Sequence, residues 1–175
     1  MKLPSLNRNL GVNGMLEFGT GNDEVNQYSQ LAPFVISVKD NPNNQLSVVI
    51  ALPTPINSKP NYNDQRINAI LSNAAQVVAD INRMYEIIFE TYIIYQCRNE
   101  SYTTYDPNEI IKGKHLVIYE QSPLLDYYKN VIFDKDYDNE KLNRKHYGIF
   151  AENHIIDVIS NEPPIITKLN SDLAH

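Results

Sequence analysis

The chain has 175 residues, 42% hydrophobic and 21% charged, a composition that excludes pervasive disorder and is enough for one domain with its own core. Its formal net charge of −6 argues against nucleic acid as a partner, since phosphate binding needs clustered cations, and favours basic partners instead. The single cysteine, Cys97, excludes an intrachain disulfide framework, and no apolar run approaches the ~20 residues of a membrane span.

The first ten residues lack the apolar stretch of a signal peptide, so the expected compartment is the cytoplasm. Residues 1–30 carry Gly11, Gly14, Gly19 and Gly21 among Asn and Ser and read as a loosely held arm before one domain over 31–175. The GTGN piece of that arm lacks the further glycine and the lysine of a phosphate loop. Two β-rich runs, 34–40 and 45–52, flank NPNN and predict a hairpin. Pro53, Pro55 and Pro60 then impose a crossover loop. Asp64 stands as an N-cap, and Ile67, Ile70, Leu71, Ala74, Val78, Ile81 and Tyr85 recur at three and four, which predicts a helix over 64–84.

The stretch from Glu86 to Tyr102 reads as one long central strand, buried on one side. Ile87, Phe89, Thr91, Ile93, Tyr95 and Cys97 point inward on this reading, and a thiol so buried is inert. A strand over 115–120 follows. Ser122-Pro123 then pairs an N-cap with a proline at the first helical position, opening a helix over 123–132. HYGIF and HIIDVIS are two further strands, and Pro163-Pro164 acts as a stop. The order β-β-α-β-β-α-β-β predicts an α+β fold: a two-layer, mostly antiparallel sheet with two helices packed on one face and the other face partly open.

No metal or cofactor site is expected. Asp134, Asp136 and Asp138 match the first ligands of a calcium loop, but Asn139 replaces its glycine and Lys145 its bidentate glutamate. No nucleophile elbow or zinc signature is present. The segment HYGIFAENHIIDVIS gathers His146, Glu152, His154 and Asp157, and the turn decides what they can do. A three-residue loop, Ala151-Glu152-Asn153, sets His146 opposite Val158 and the two histidines roughly 13 Å apart at 3.3 Å per residue, too far to share zinc. A two-residue loop, Glu152-Asn153, sets His146 diagonal to Asp157 on one face, as an acid–base pair requires.

The outward parity of the central strand supplies the other candidates: Tyr92, Gln96, Arg98, Glu100 and Tyr102, continued by His115 and Tyr119 on the next strand, with Tyr105, Asp106 and Glu109 between. Arginine grips carboxylates bidentately and tyrosine gives rigid amphipathic contact area; both are enriched at binding hot spots. The expected function is therefore a non-catalytic intracellular binding module, an acidic inhibitor- or immunity-type protein meeting a protein partner or small ligand through that Tyr/Arg face. The alternative is a small acid–base hydrolase or lyase, with His146 and Asp157 as the pair and Arg98 holding an anionic substrate. An enzyme needs a concave pocket with convergent polar groups, whereas a partner-binding protein presents a broad aromatic face.

Overall fold

The computed structural model describes residues 16–20, 31–56, 64, 66, 76–131 and 144–170. In chain order the strands are β1 (Phe34–Asn41), β2 (Gln45–Ile56), β3 (Gln76–Phe89), β4 (Tyr92–Asn99), β5 (Ile110–Lys112), β6 (Leu116–Gln121), β7 (Lys145–Phe150), β8 (His154–Ser160) and β9 (Ile165–Leu169). The helix α1 (Pro123–Val131) lies between β6 and β7. The strands make two antiparallel sheets, one ordered β1-β2-β3-β9 and the other β4-β8-β7-β6-β5. The expected α+β arrangement, one sheet carrying two helices on one face, is thus corrected to a mostly β fold of two sheets.

The first hairpin lies where expected, with Asn43 and Asn44 taking the left-handed backbone at φ 68° and 57° that asparagine tolerates. Strand β2, however, continues through Pro53 and Pro55 to Ile56, where a crossover loop was expected. The expected helix over 64–84 is where the reading fails. Asp64 Oδ1 does accept from Arg66 N at 2.8 Å, as an N-cap does, and Arg66 is helical; 65 and 67–75 lie outside the described residues. From Gln76 onward the chain is strand β3, paired with β2 along its length. The pairing steps from Ala51↔Met84 to Leu52↔Asp80, so Ile81, Asn82 and Arg83 bulge out of the ladder. Asp80 closes the bulge by accepting from Asn82 N at 3.0 Å and Arg83 Nε at 2.8 Å, while Arg83 Nη2 reaches the Pro53 carbonyl. Those inserted residues shift the apolar spacing of a strand into one that mimics a helix.

The expected single strand over 86–102 is also corrected. Phe89 ends β3 in one sheet and Tyr92 opens β4 in the other, with Glu90 and Thr91 as the corner. Tyr92 N donates to the Asn44 carbonyl and Ser160 Oγ to that of Thr91, which ties the corner to both sheets. Cys97 keeps the inward parity of Tyr95, yet it is exposed, because β4 is the edge of its sheet.

The sheets pack face to face. Leu46, Val48, Ile50, Ile87 and Phe89 of one meet Leu116, Tyr147, Ile149, Ile156 and Val158 of the other in one buried cluster. Each such side chain contributes ~1.5–3 kcal/mol on burial. Leu16 and Phe18, from the segment expected to be a loose arm, are buried in this cluster, and Phe18 meets Tyr147 edge-on at 5.2 Å. The rest of that arm, and the acidic loop with Asp134, Asp136 and Asp138, lie outside the described residues. Pro163-Pro164 does not end the regular structure, since β9 follows and pairs with β3. Among the described residues no helix is long and apolar enough to cross a membrane.

Candidate functional site

The second sheet has an outer face, turned away from the core, and its chemistry starts with a register. Phe150 pairs with Ile155 and His146 with Ile159, the register of the two-residue Glu152-Asn153 turn. Gly148 consequently sits opposite Asp157, with His146 diagonal to it. His146 Nε2 lies 3.2 Å from Asp157 Oδ1. The neighbouring edge strand β4 places Gln96 opposite Asp157 and Arg98 opposite Ile155. Gln96 Nε2 donates to Asp157 Oδ2 at 3.0 Å, and Arg98 donates to the same oxygen from Nε at 3.0 Å and Nη2 at 2.8 Å.

Tyr119 completes the set from β6. Its ring stacks on His146 at 3.9 Å between centroids, 5° from parallel, and its hydroxyl donates to Asp157 Oδ1 at 3.4 Å. The ring crosses β7 where Gly148 has no side chain; a Cβ there would stand 2.8 Å from Tyr119 Cε2 and 2.7 Å from Val117 Cγ2. At this position glycine is required by space. On the other side of the imidazole, Ser122 Oγ lies 2.8 Å from His146 Nδ1 and accepts from Leu125 N at 3.2 Å, capping α1.

The proton positions follow from this network. An ionised Asp157 only accepts, so Nε2 of His146 carries a proton toward it. Ser122 Oγ already accepts from the helix and has its own proton to give to Nδ1. Every member of the cluster is thus hydrogen-bonded, and Arg98 balances the Asp157 charge. Burial alone raises the Asp157 pKa; hydrogen bonding and attraction from His146, then Arg98 and Gln96, outweigh it and hold the carboxyl below its ordinary value. Burial pushes the Tyr119 phenol well up, with the Asp157 charge adding to it. Glu109, half-buried nearby, is raised by burial and pulled back only in part by Arg98.

The cluster is closed to solvent. Asp157 is 0% exposed, His146 and Ser122 2% each, and Tyr119 3%. The Arg98 side chain, one-third exposed, and the partly exposed Gln96 reach outward. Beside it, an open cleft of about 320 Å³ is lined by Glu100, Tyr105, His115, Phe150, Glu152 and Ile155 among others, and by neither His146 nor Asp157. The cluster supports one wall of the cleft: Phe150 packs against Tyr119 at 6.2 Å and against Tyr105 at 5.9 Å.

The residues expected on one open face separate. Gln96, Arg98 and Tyr119 converge on Asp157; Glu100 and His115 line the cleft, with His115 itself buried. Tyr102, in the 3₁₀ turn Glu100–Tyr102, is 87% exposed. Tyr92 turns the other way, against the core and Tyr95, with its hydroxyl on Asp40. The sequence reading missed Ser122 as a partner of His146, having given it only the capping role. It also missed Gly148, whose signal is a glycine two residues from His146 in a strand otherwise bulky. The cleft, assembled from four separate stretches, had no local signal. Among the described residues no group of three or more His, Cys, Asp or Glu could hold a metal ion.

The chain matches no protein-family model, no curated protein and no solved structure.

Proposed function

We propose that this protein is a non-catalytic, intracellular binding module that engages a protein partner through the cleft and the exposed segment beside it, in the manner of an acidic inhibitor. The observation that carries this reading is the run of exposed large side chains in one short segment: Tyr102 at 87%, Tyr105 at 60%, with Ile110 and Ile111 also exposed. Solvent-facing tyrosine and isoleucine in a segment whose Tyr105 lines a cleft match the aromatic-rich composition of partner-binding surfaces. The net charge of −6 suits a basic partner, whose approach it would accelerate. The test is capture from native host lysate with the wild-type chain and with a Tyr102→Ala/Tyr105→Ala variant. A specific partner retained by the first and lost by the second supports the proposal; equal retention contradicts it.

The acid–base reading keeps one observation in its favour, the Ser122–His146–Asp157 hydrogen-bond chain. Against it, all three side chains are 0–2% exposed, and Arg98, the intended substrate anchor, is spent on Asp157. The buried chain is better suited to fixing Tyr119, and through it the cleft wall, than to meeting a substrate.

A further inference from the structure

We infer that the cleft is a subsite for a cationic side chain, arginine or lysine, presented by the basic partner; this rests on the binding-module reading and specifies what the module grips. The groups lining the cleft differ in whether they are already paired. Lys114 and His115 also line the cleft, and each already makes an interaction within the protein. Glu100 and Glu152, on opposite stretches of chain, have neither a salt bridge nor a side-chain hydrogen bond among the described residues. Two glutamates thus line one cavity, and the lysine that lines it with them pairs with neither.

The walls fit the rest of such a side chain. Tyr105 and Phe150 stand 5.9 Å apart at 53° to one another, and Ile155 adds an aliphatic surface. An arginine or lysine carries a hydrocarbon stem that covers apolar surface and a charged head that aromatic faces attract. Glutamates and aromatic rings in one lining complement both parts, and a guanidinium can form paired hydrogen bonds to a carboxylate. At about 320 Å³ the cleft is at the small end of ligand sites, the size for one side chain rather than a large cofactor. Beyond the mouth, exposed Tyr102 offers contact to residues flanking the inserted one. That places the cation on a polypeptide.

The test titrates the full ¹⁵N-labelled chain with four capped peptides, acetyl-Gly-Xaa-Gly-amide, in which Xaa is arginine, lysine, citrulline or glutamate. Citrulline keeps the shape of arginine without its charge. The expected result is saturable shifts of the Tyr105, Phe150, Ala151 and Glu152 amides with the arginine and lysine peptides, and at least fivefold weaker binding of the citrulline peptide. In a Glu100→Gln/Glu152→Gln variant that preference should vanish, and its unchanged spectrum elsewhere would show that the fold is intact. Equal shifts from arginine and citrulline, or a preference that survives the double substitution, overturn the cationic subsite while leaving the cleft as a contact surface. No cleft shift with any peptide overturns the subsite; loss of the binding-module reading would show separately, as a captured partner indifferent to Tyr102 and Tyr105.

Discussion

Replacing Asp157 with asparagine removes one buried charge and almost no volume, so it isolates what the polar cluster contributes. In the wild type both carboxylate oxygens are occupied, Oδ1 by His146 and Tyr119 and Oδ2 by Gln96 and Arg98. An asparagine can turn its carbonyl to Arg98 and Gln96, but its amide then confronts two donors, His146 Nε2–H and the Tyr119 hydroxyl. Breaking a buried charge pair costs ~3–5 kcal/mol when the remaining charge is left dry. Arg98 is one-third exposed and rehydrates, which points to the lower end, about 3 kcal/mol. For a chain of this size that corresponds to a melting temperature about 6–12 °C lower. The sign with pH is fixed by the direction of the shift. Asp157 titrates below its unfolded value in the folded protein, so its contribution is present above about pH 4 and is lost as pH falls through the folded value. Urea unfolding followed by circular dichroism at pH 7 and at pH 3 should therefore show a large wild-type–variant gap that narrows in acid. A gap under about 1 kcal/mol at pH 7, or one unchanged at pH 3, would refute the ionised, multiply bonded Asp157.

Gly148→Ala should displace the Tyr119 ring, cost about 1–3 kcal/mol as an overpacked site does, and shift the near-ultraviolet tyrosine spectrum; an unperturbed spectrum at full stability would contradict the close approach. Ser122→Ala removes both the cap of α1 and the group facing His146 Nδ1, an expected loss of ~1–2 kcal/mol by urea titration, whereas a neutral result would mean neither contact matters. Cys97 should react fully with a disulfide reagent in the native state, with a pH midpoint above that of a free cysteine because burial and then the Asp157 charge raise its pKa. A thiol that reacts only after unfolding would contradict its place on the exposed edge of β4.

What could be read from the sequence was local. NPNN between two alternating runs dictated the first hairpin, and Ser122-Pro123 dictated the start of α1. The His146–Asp157 contact depended on a single choice, the length of one turn, and the two-residue option is the one the fold takes. Long-range pairing was not readable. Residues 76–84 have apolar positions at both spacings, and only their partner strand β2, with a three-residue bulge, decides for strand. The alternation through 86–102 runs unbroken across Glu90-Thr91, since a corner between two sheets leaves no trace in period two. Exposure at a sheet edge is likewise a matter of strand order, which is why Cys97 keeps its parity and still meets solvent.

On the proposed reading the protein meets its partner on the outer face of the second sheet. Amide hydrogen exchange on the chain, free and saturated with its captured partner, tests it most directly. Added protection concentrated in residues 100–115 and 150–155, with β1 and β9 unchanged, is the predicted outcome. Protection confined to the β1 or β9 edge of the other sheet, with 100–115 exchanging as in the free protein, would contradict it.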